Sequence, residues 1–290
     1  MSSKDINLNS KNKVKHTVKS ASQHTVENSW QVLRQYTAAR IGLGRAGISV
    51  PTKHLLDFQL AHAQAQDAVH LPLDTENLIT DIEAHCLSVH SQIQNRSHYL
   101  QRPDLGRRLN SESAALLKHA AAPDDAPYDL AIVIVDGLSS LAIQKNAAPL
   151  LHLLTQRLSE QSLLNDGGRI LSLAPIVIVQ QGRVAIGDEV GELLNAKSVL
   201  VFIGERPGLS SPDSLGLYLT WAPKLGLTDE SRNCISNIRS EGLVYREAVN
   251  KIIYLLTQAH QRKLTGVNLK DRSTDVINSL VQDDKNFLLS

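Results

Sequence analysis

DLAIVIVDG, residues 129–137, is a run of mostly β-branched apolar residues closed by Asp-Gly, and its reading decides the fold. An apolar stretch this short, ended by turn chemistry, is the pattern of a strand buried on both faces. A helix over about 139–160 follows, with Leu150, Leu153, Leu154 and Leu158 on its apolar side. Next come APIVIVQQGRVAI (174–186), read as strand, turn and short strand, and then a helix over about 188–196. SVLVFIGERPG (198–208) is a further buried strand, and a last helix over about 241–264 carries Ile252, Ile253, Leu255 and Leu256. Strands alternating with helices predict an α/β domain whose mostly parallel sheet has helices on both faces.

Upstream the character differs. AAPDDAPYD (121–129) reads as a linker, and residues 29–120 before it read as mainly helical. Trp30, Leu33 and Tyr36 stand at helical spacing. The glycines of GLGRAG (42–47) come after that helix rather than after a strand, which argues against a dinucleotide-binding turn. Pro51-Thr52 starts a helix with Leu55, Leu56 and Leu60 on one face. Another helix is expected over about 77–95, and one more after Pro103-Asp104, with Leu105, Leu109, Leu116 and Leu117 as its apolar side. The expected organisation is a disordered leader (1–28), a helical N-terminal region (29–125), the sheet domain (126–270) and a tail (271–290).

Of the 290 residues, 42% are hydrophobic and 4% aromatic, so the core must be largely aliphatic. A net charge of +1 excludes a strongly basic nucleic-acid binder. Residues 1–28 hold no apolar signal-peptide core, and the sequence has no apolar run long enough to span a membrane. These features predict a soluble cytoplasmic protein with Cys86 and Cys234 reduced.

In open α/β sheets, ligands bind beyond the carboxyl ends of the strands. Three loops qualify: Asp136–Ser139, Gln181–Val184 and Gly204–Gly208. In the last, Glu205 and Arg206 directly follow a buried strand. The flanking glycines allow close backbone approach and Pro207 stiffens the turn. The same charged pair would equally serve to solvate the rim. Asp136 is good turn chemistry and Ser139 a good helix cap. Cys234, in RNCISNI, has no metal-ligand spacing, and the interval 153–259 contains no histidine to act as its base. It reads as either a small packing residue or a thiol of undecided role. His54, His62, His70, His85, His90, His98 and His119 form no HExxH pattern, and the P-loop and GxSxG are absent. Residue chemistry alone thus describes a ligand-ready sheet edge with little catalytic equipment. That favours a binding subunit over a self-sufficient enzyme, with a non-catalytic α/β ligand-binding or scaffold protein as the alternative.

Longer segments narrow the choice. RPDLGRRL (102–109), VDGLSSLAI (135–143), GRVAIGDEVGELLNAK (182–197), IGERPGLSSPDSLGLYLTWAPK (203–224), RNCISNI (232–238) and LTGVNLK (264–270) occur in that order. Together they resemble the small (light, beta) subunit of ethanolamine ammonia-lyase over about 29–270. The resemblance implies a Rossmann-like domain behind a helical N-terminal region, packed on a large TIM-barrel subunit in a higher-order hetero-oligomer. It implies adenosylcobalamin (coenzyme B12) between the two, with Val184, Glu205 and Cys234 as cofactor contacts. No catalytic residue or metal ligand is expected on this chain, because ethanolamine is bound mainly by the large subunit. The implied reaction is radical conversion of ethanolamine to acetaldehyde and ammonia. The cobalamin motif DxHxxG is absent, so the coenzyme is expected to keep its own benzimidazole as lower ligand. In the family, ethanolamine use often occurs inside a bacterial microcompartment, but residues 1–28 lack the clear amphipathic helix that would mark such targeting.

Overall fold

The computed structural model describes residues 25–160 and 171–273 and divides into two compact units, 1–60 and 61–290. Most of the expected leader (1–24) and of the expected tail (274–290) lies outside the described residues. In the first unit, β1 (Thr25–Val26) pairs antiparallel with β2 (Arg45–Ala46). Between them Ser29–Gln35 is a 3-10 helix, not the longer helix that the Trp30–Leu33–Tyr36 spacing predicts. The chain folds back onto it: a Cβ on Gly42 (φ +59) would stand 2.6 Å from the Gln31 nitrogen, so the helix cannot continue through this point. Trp30 (65%), Tyr36 (83%) and Leu56 (57%) stay exposed. α1 (Thr52–His70) starts where Pro51-Thr52 predicts.

In the second unit, α2 (Thr75–Ile82) is capped by Asp74, whose carboxylate accepts from Asn77 N–H at 3.1 Å. It stops at Glu83, which takes a left-handed conformation. The chain then runs straight into β3 (Cys86–His90), so the helix expected over 77–95 is a helix followed by a strand. The helix expected after Pro103 is also broken. α3 (Arg96–Gln101) leads to a single 3-10 turn (Leu105–Arg107), and Asn110 then caps a separate α4 (Ser111–His119). β4 (Ala131–Val135), α5 (Ser140–Glu160), β5 (Ile176–Gln180), α6 (Ile186–Leu193) and β6 (Ser198–Gly204) follow as the apolar runs predict. RVAI is not a strand, because Arg183 and Val184 carbonyls accept from Ile186 and Gly187 N–H and open α6. β7 (Leu215–Trp221) and β8 (Arg232–Ile238) precede α7 (Tyr245–Arg262).

The sheet order is β3-β5-β4-β6-β7-β8, parallel as far as β6 and antiparallel through β7 and β8. Alternation sorts its side chains. Ile132, Ile134, Ile178, Phe202 and Leu217 pack with α2, α5 and α7 on one face. Val133, Val135, Val177, Val179 and Val201 meet α4 and α6 on the other. Each such side chain, fully buried, contributes roughly 1.5–3 kcal/mol. The valine face permits close helix approach: a Cβ on Gly187 of α6 would lie 2.2 Å from Val201 Cγ2. α6 therefore lies low on the sheet, and this brings its first turn to the strand ends. On the outer strands the same face carries Tyr218, half-buried, and Cys234, exposed.

Candidate functional site

A cleft of about 1080 Å³ opens beyond the carboxyl ends of the parallel strands. It lies at the switch point, where the chain leaves β4 toward β5 and returns across β4 to β6. Val184 and Ala185, at the start of α6, form one wall with Arg183 and Tyr99. Ile203, Glu205 and Tyr218 line the side given by β6 and β7, and Leu225–Asp229 supplies the far wall. Arg107 and Arg206 are also among the lining residues. The lining is thus apolar along the strand ends with charged groups of both signs around it, the pattern of a site for a large, flat ligand with polar edges.

Glu205 is held in a particular way. Its Oε2 accepts both from the Ser214 hydroxyl and from Asn237 N–H, the latter at 3.2 Å. Both partners lie on the same oxygen, so Oε1 keeps its acceptor capacity for something else. The side chain rests over Gly216 on β7, where an added Cβ would stand 2.9 Å from Oε1. Gly204 serves the protein rather than a ligand: a Cβ there would meet the Ser139 carbonyl at 2.0 Å, so it lets the loops after β4 and β6 touch.

Val184 and Glu205, which the resemblance names and which belong to two of the strand-end loops, both line one cleft. Cys234 stands on the neighbouring strand, directly opposite the cleft residue Tyr218 in the β7–β8 register, outside the cleft's own lining. Partial desolvation raises the Cys234 thiol above its ordinary value although the residue is exposed, and the Glu205 charge adds to this, while a hydrogen bond with Tyr218 partly offsets it. The thiol therefore stays protonated at neutral pH and is a poor nucleophile.

Asp136 and Ser139 behave as turn and cap. Ser139 Oγ accepts from Ala142 N–H at 3.1 Å at the start of α5. Asp136, 2% exposed, accepts from the N–H groups of Gly137, Gln181 and Gly182 at 2.9, 2.8 and 3.0 Å. Burial pushes its carboxyl up to about 6, against the pull of those amides and of Arg96. Asp188, in the lining of the cleft, is also lifted to about 6 by burial and is paired with buried Arg232. Arg232 further donates to the Leu227 carbonyl at 3.2 Å, tying down the far wall.

Sequence reasoning did not find Tyr99, Tyr218, Asp188 or the Leu225–Asp229 wall. Tyr218 had a usable signal, the apolar alternation in LGLYLTW, and Asp188 stands four residues after Val184 in GRVAIGDEV; Tyr99 and the Leu225–Asp229 wall come from distant segments without a motif. Among the described residues no cluster of His, Cys, Asp and Glu could hold a metal ion, and no helix is long and apolar enough to cross a membrane.

The family model described as ethanolamine ammonia-lyase light chain (EutC) matches residues 27–270. The chain belongs to the ethanolamine ammonia-lyase light chain family. Its relatives include the ethanolamine ammonia-lyase small subunit of Pseudomonas aeruginosa, 52% identical over 270 residues that cover 92% of this chain and 96% of that one. The small subunit of Pseudomonas putida is 53% identical over 273 residues, 91% and 97% of the two chains. That of Ralstonia nicotianae is 51% identical over 266 residues, 91% and 95%. As an ethanolamine ammonia-lyase small subunit, the chain is part of a carbon–nitrogen lyase that depends on adenosylcobalamin.

Proposed function

We propose that the cleft is this chain's half of the adenosylcobalamin site, with Val184, Glu205 and Cys234 on the coenzyme side. One observation carries the reading. Two residues from the ends of different strands, Val184 and Glu205, converge on a largely apolar cleft, and Glu205 presents Oε1 with its protein donors gathered on Oε2. The fit is chemical. The edge of a corrin carries amide N–H groups that a carboxylate oxygen can accept, and the benzimidazole tail is a flat surface suited to Val184 and a soft cysteine. When bound, the coenzyme supplies a cobalt–carbon bond whose homolysis opens the radical conversion of ethanolamine to acetaldehyde and ammonia. This chain's residues bind, orient and exclude water. Val184, Ala185 and Ile203 offer apolar surface, Glu205 fixes an edge, and Arg107 and Arg206 favour anionic parts of the ligand. No residue here is assigned a proton or radical step.

The small subunit works with a large subunit. We further propose that this partner, a TIM barrel holding ethanolamine, closes the open side of the cleft within a higher-order hetero-oligomer. Exposed Trp30, Tyr36 and Leu56 supply apolar surface of the kind that protein interfaces bury. The test is cobalamin binding by the assembled enzyme carrying Glu205→Ala. A rise in coenzyme Kd that exceeds any fall in turnover supports the assignment; unchanged Kd removes Glu205 from the site.

A further inference from the structure

The backbone leading to Val184 is held at nearly every polar atom. Gln181 N–H and Gly182 N–H donate to the two oxygens of Asp136, at 2.8 and 3.0 Å. The Ser91 hydroxyl donates to the Gln181 carbonyl at 2.8 Å, and the Tyr99 hydroxyl to the Gly182 carbonyl at 3.0 Å. Arg183 N–H reaches the Gly106 carbonyl at 2.7 Å. Asp136 also takes Gly137 N–H, so one carboxylate ties the loop after β4 to the loop after β5.

A turn needs much less than this. A short neutral side chain would satisfy Gly137, whereas Asp136 is a buried carboxylate whose cation, Arg96, stands 3.7 Å away, beyond hydrogen-bond range. Burying a charge with so loose a partner works against stability. The surroundings gather further cations and unpaired polar atoms. The guanidiniums of Arg96 and Arg183 lie 4.4 and 3.9 Å from the Tyr99 ring centroid, and Arg96 Nη2, Arg183 Nε and Gln181 Oε1 are buried without a hydrogen-bond partner. Burial holds the Tyr99 phenol well above its ordinary value, so it remains a donor to Gly182. Where local rules are broken around one well-fixed segment, fixed geometry is the usual return.

We infer that Asp136 is a positioning residue of the coenzyme cleft: it locks the Gln181–Gly182 backbone and so sets where Val184 and the first turn of α6 stand, with Tyr99 as second support. Asp136 itself does not line the cleft. The inference rests on the cleft being the coenzyme site, and the test separates the two.

The full chain is assembled with the large subunit. Cyanocobalamin binding is measured by equilibrium dialysis, and the adenosylcobalamin KM is measured separately from kcat. Asp136→Asn presents an N–H₂ group to one of the loop amides. Its Kd should rise about tenfold or more, with kcat at saturating coenzyme changed less than about twofold. Tyr99→Phe keeps the ring under both guanidiniums and loses only the hydroxyl; its Kd should rise about threefold. Val184→Trp fills the cleft directly. If Val184→Trp weakens binding while Asp136→Asn and Tyr99→Phe leave it unchanged, the positioning role is overturned and the cleft stands. If Val184→Trp has no effect, the cleft reading falls and the inference with it. Should Asp136→Asn fail to assemble, Ser91→Ala decides, because Ser91 holds the Gln181 carbonyl and does not line the cleft: a raised Kd supports the role and an unchanged one overturns it. A loss confined to kcat also overturns it.

Discussion

Gly216→Ala tests the Glu205 assignment without touching the carboxylate. The added methyl would stand 2.9 Å from Oε1, 3.1 Å from Cγ and 3.3 Å from Cδ of Glu205. Ordinary contact is about 3.5 Å or more, so the carboxyl group must move by about half an ångström. The neighbour is a flexible side-chain end, and the folding cost is correspondingly small. The Asn237 N–H bond is already 3.2 Å long and would be lost, with water able to replace it at this half-exposed position. That loss is about 0.5–1 kcal/mol, and it is offset by the roughly 0.5–1 kcal/mol that alanine gains over glycine within a strand. Net stability should therefore change by less than about 1 kcal/mol, or a few degrees in Tm. Binding is different, because the methyl crowds the one oxygen left for the ligand. A weakened charge-assisted hydrogen bond in a dry interface costs about 1–2 kcal/mol, or roughly 5- to 30-fold in Kd. Cobalamin titration of the assembled enzyme, paired with thermal melting, reads both quantities. An affinity within about twofold of the parent, with Tm unchanged, would falsify the role given to Oε1.

Other perturbations act elsewhere in the same face. Arg232→Met should destabilise by about 3–5 kcal/mol because it leaves buried Asp188 without its partner, and adding Asp188→Leu should recover much of that; urea unfolding of the four proteins in the cycle would refute the coupling if the two changes were additive. Asp136 binds its proton more tightly when folded, so its favourable contribution is complete below the ordinary carboxylate value of 3.8 and is lost as pH rises through about 6. Asparagine does not titrate. The unfolding free energy of Asp136→Asn relative to the parent should therefore climb by up to roughly 3 kcal/mol between pH 4 and 7, and a flat or falling difference curve would show that the carboxyl is not raised. Cys234→Ala should keep deamination within about threefold, as a packing contact would, and iodoacetamide should modify Cys234 more slowly than a free thiol at pH 8. Faster labelling would reverse that picture.

The middle of the sheet was legible because β4, β5 and β6 are buried on both faces, which leaves continuous apolar runs. β7 had a signal in the apolar alternation of LGLYLTW, whereas β3 and β8 were not legible, for physical reasons. In β3 only Val89 is buried, and β8 intersperses buried Arg232, Ile235 and Ile238 with exposed Cys234, Ser236 and Asn237 in no regular two-residue alternation. Outer strands with one wet face carry no such run. The helix expected over 77–95 failed because the left-handed stop falls on Glu83 rather than on a glycine. The loops that carry Val184 and Glu205 were readable because strand ends predict where ligands bind, and GERPG marks such an end; the choice of those two residues within the loops came from the family resemblance. The clamp on Asp136 was invisible: the sequence announces a turn at Asp136-Gly137, but its partners at Gln181 and Gly182 stand more than forty residues away.

The alternation along β7 has a consequence for how this chain can vary. Leu215, Leu217 and Leu219 point into the closed core beneath α5 and α7, while Gly216 and Tyr218 point to the cleft side. On the proposed reading, adjacent positions therefore answer to different pressures. A poor residue at Leu217 lowers the amount of assembled enzyme whatever the vitamin supply. One at Gly216 loosens the hold on the coenzyme, and abundant coenzyme refills the site. Cells with plentiful cobalamin would carry the second kind of change silently, and it would surface as slow growth on ethanolamine only when the vitamin runs short. Along one strand, then, every second residue is free to drift in proportion to cobalamin abundance, and the residues between are not.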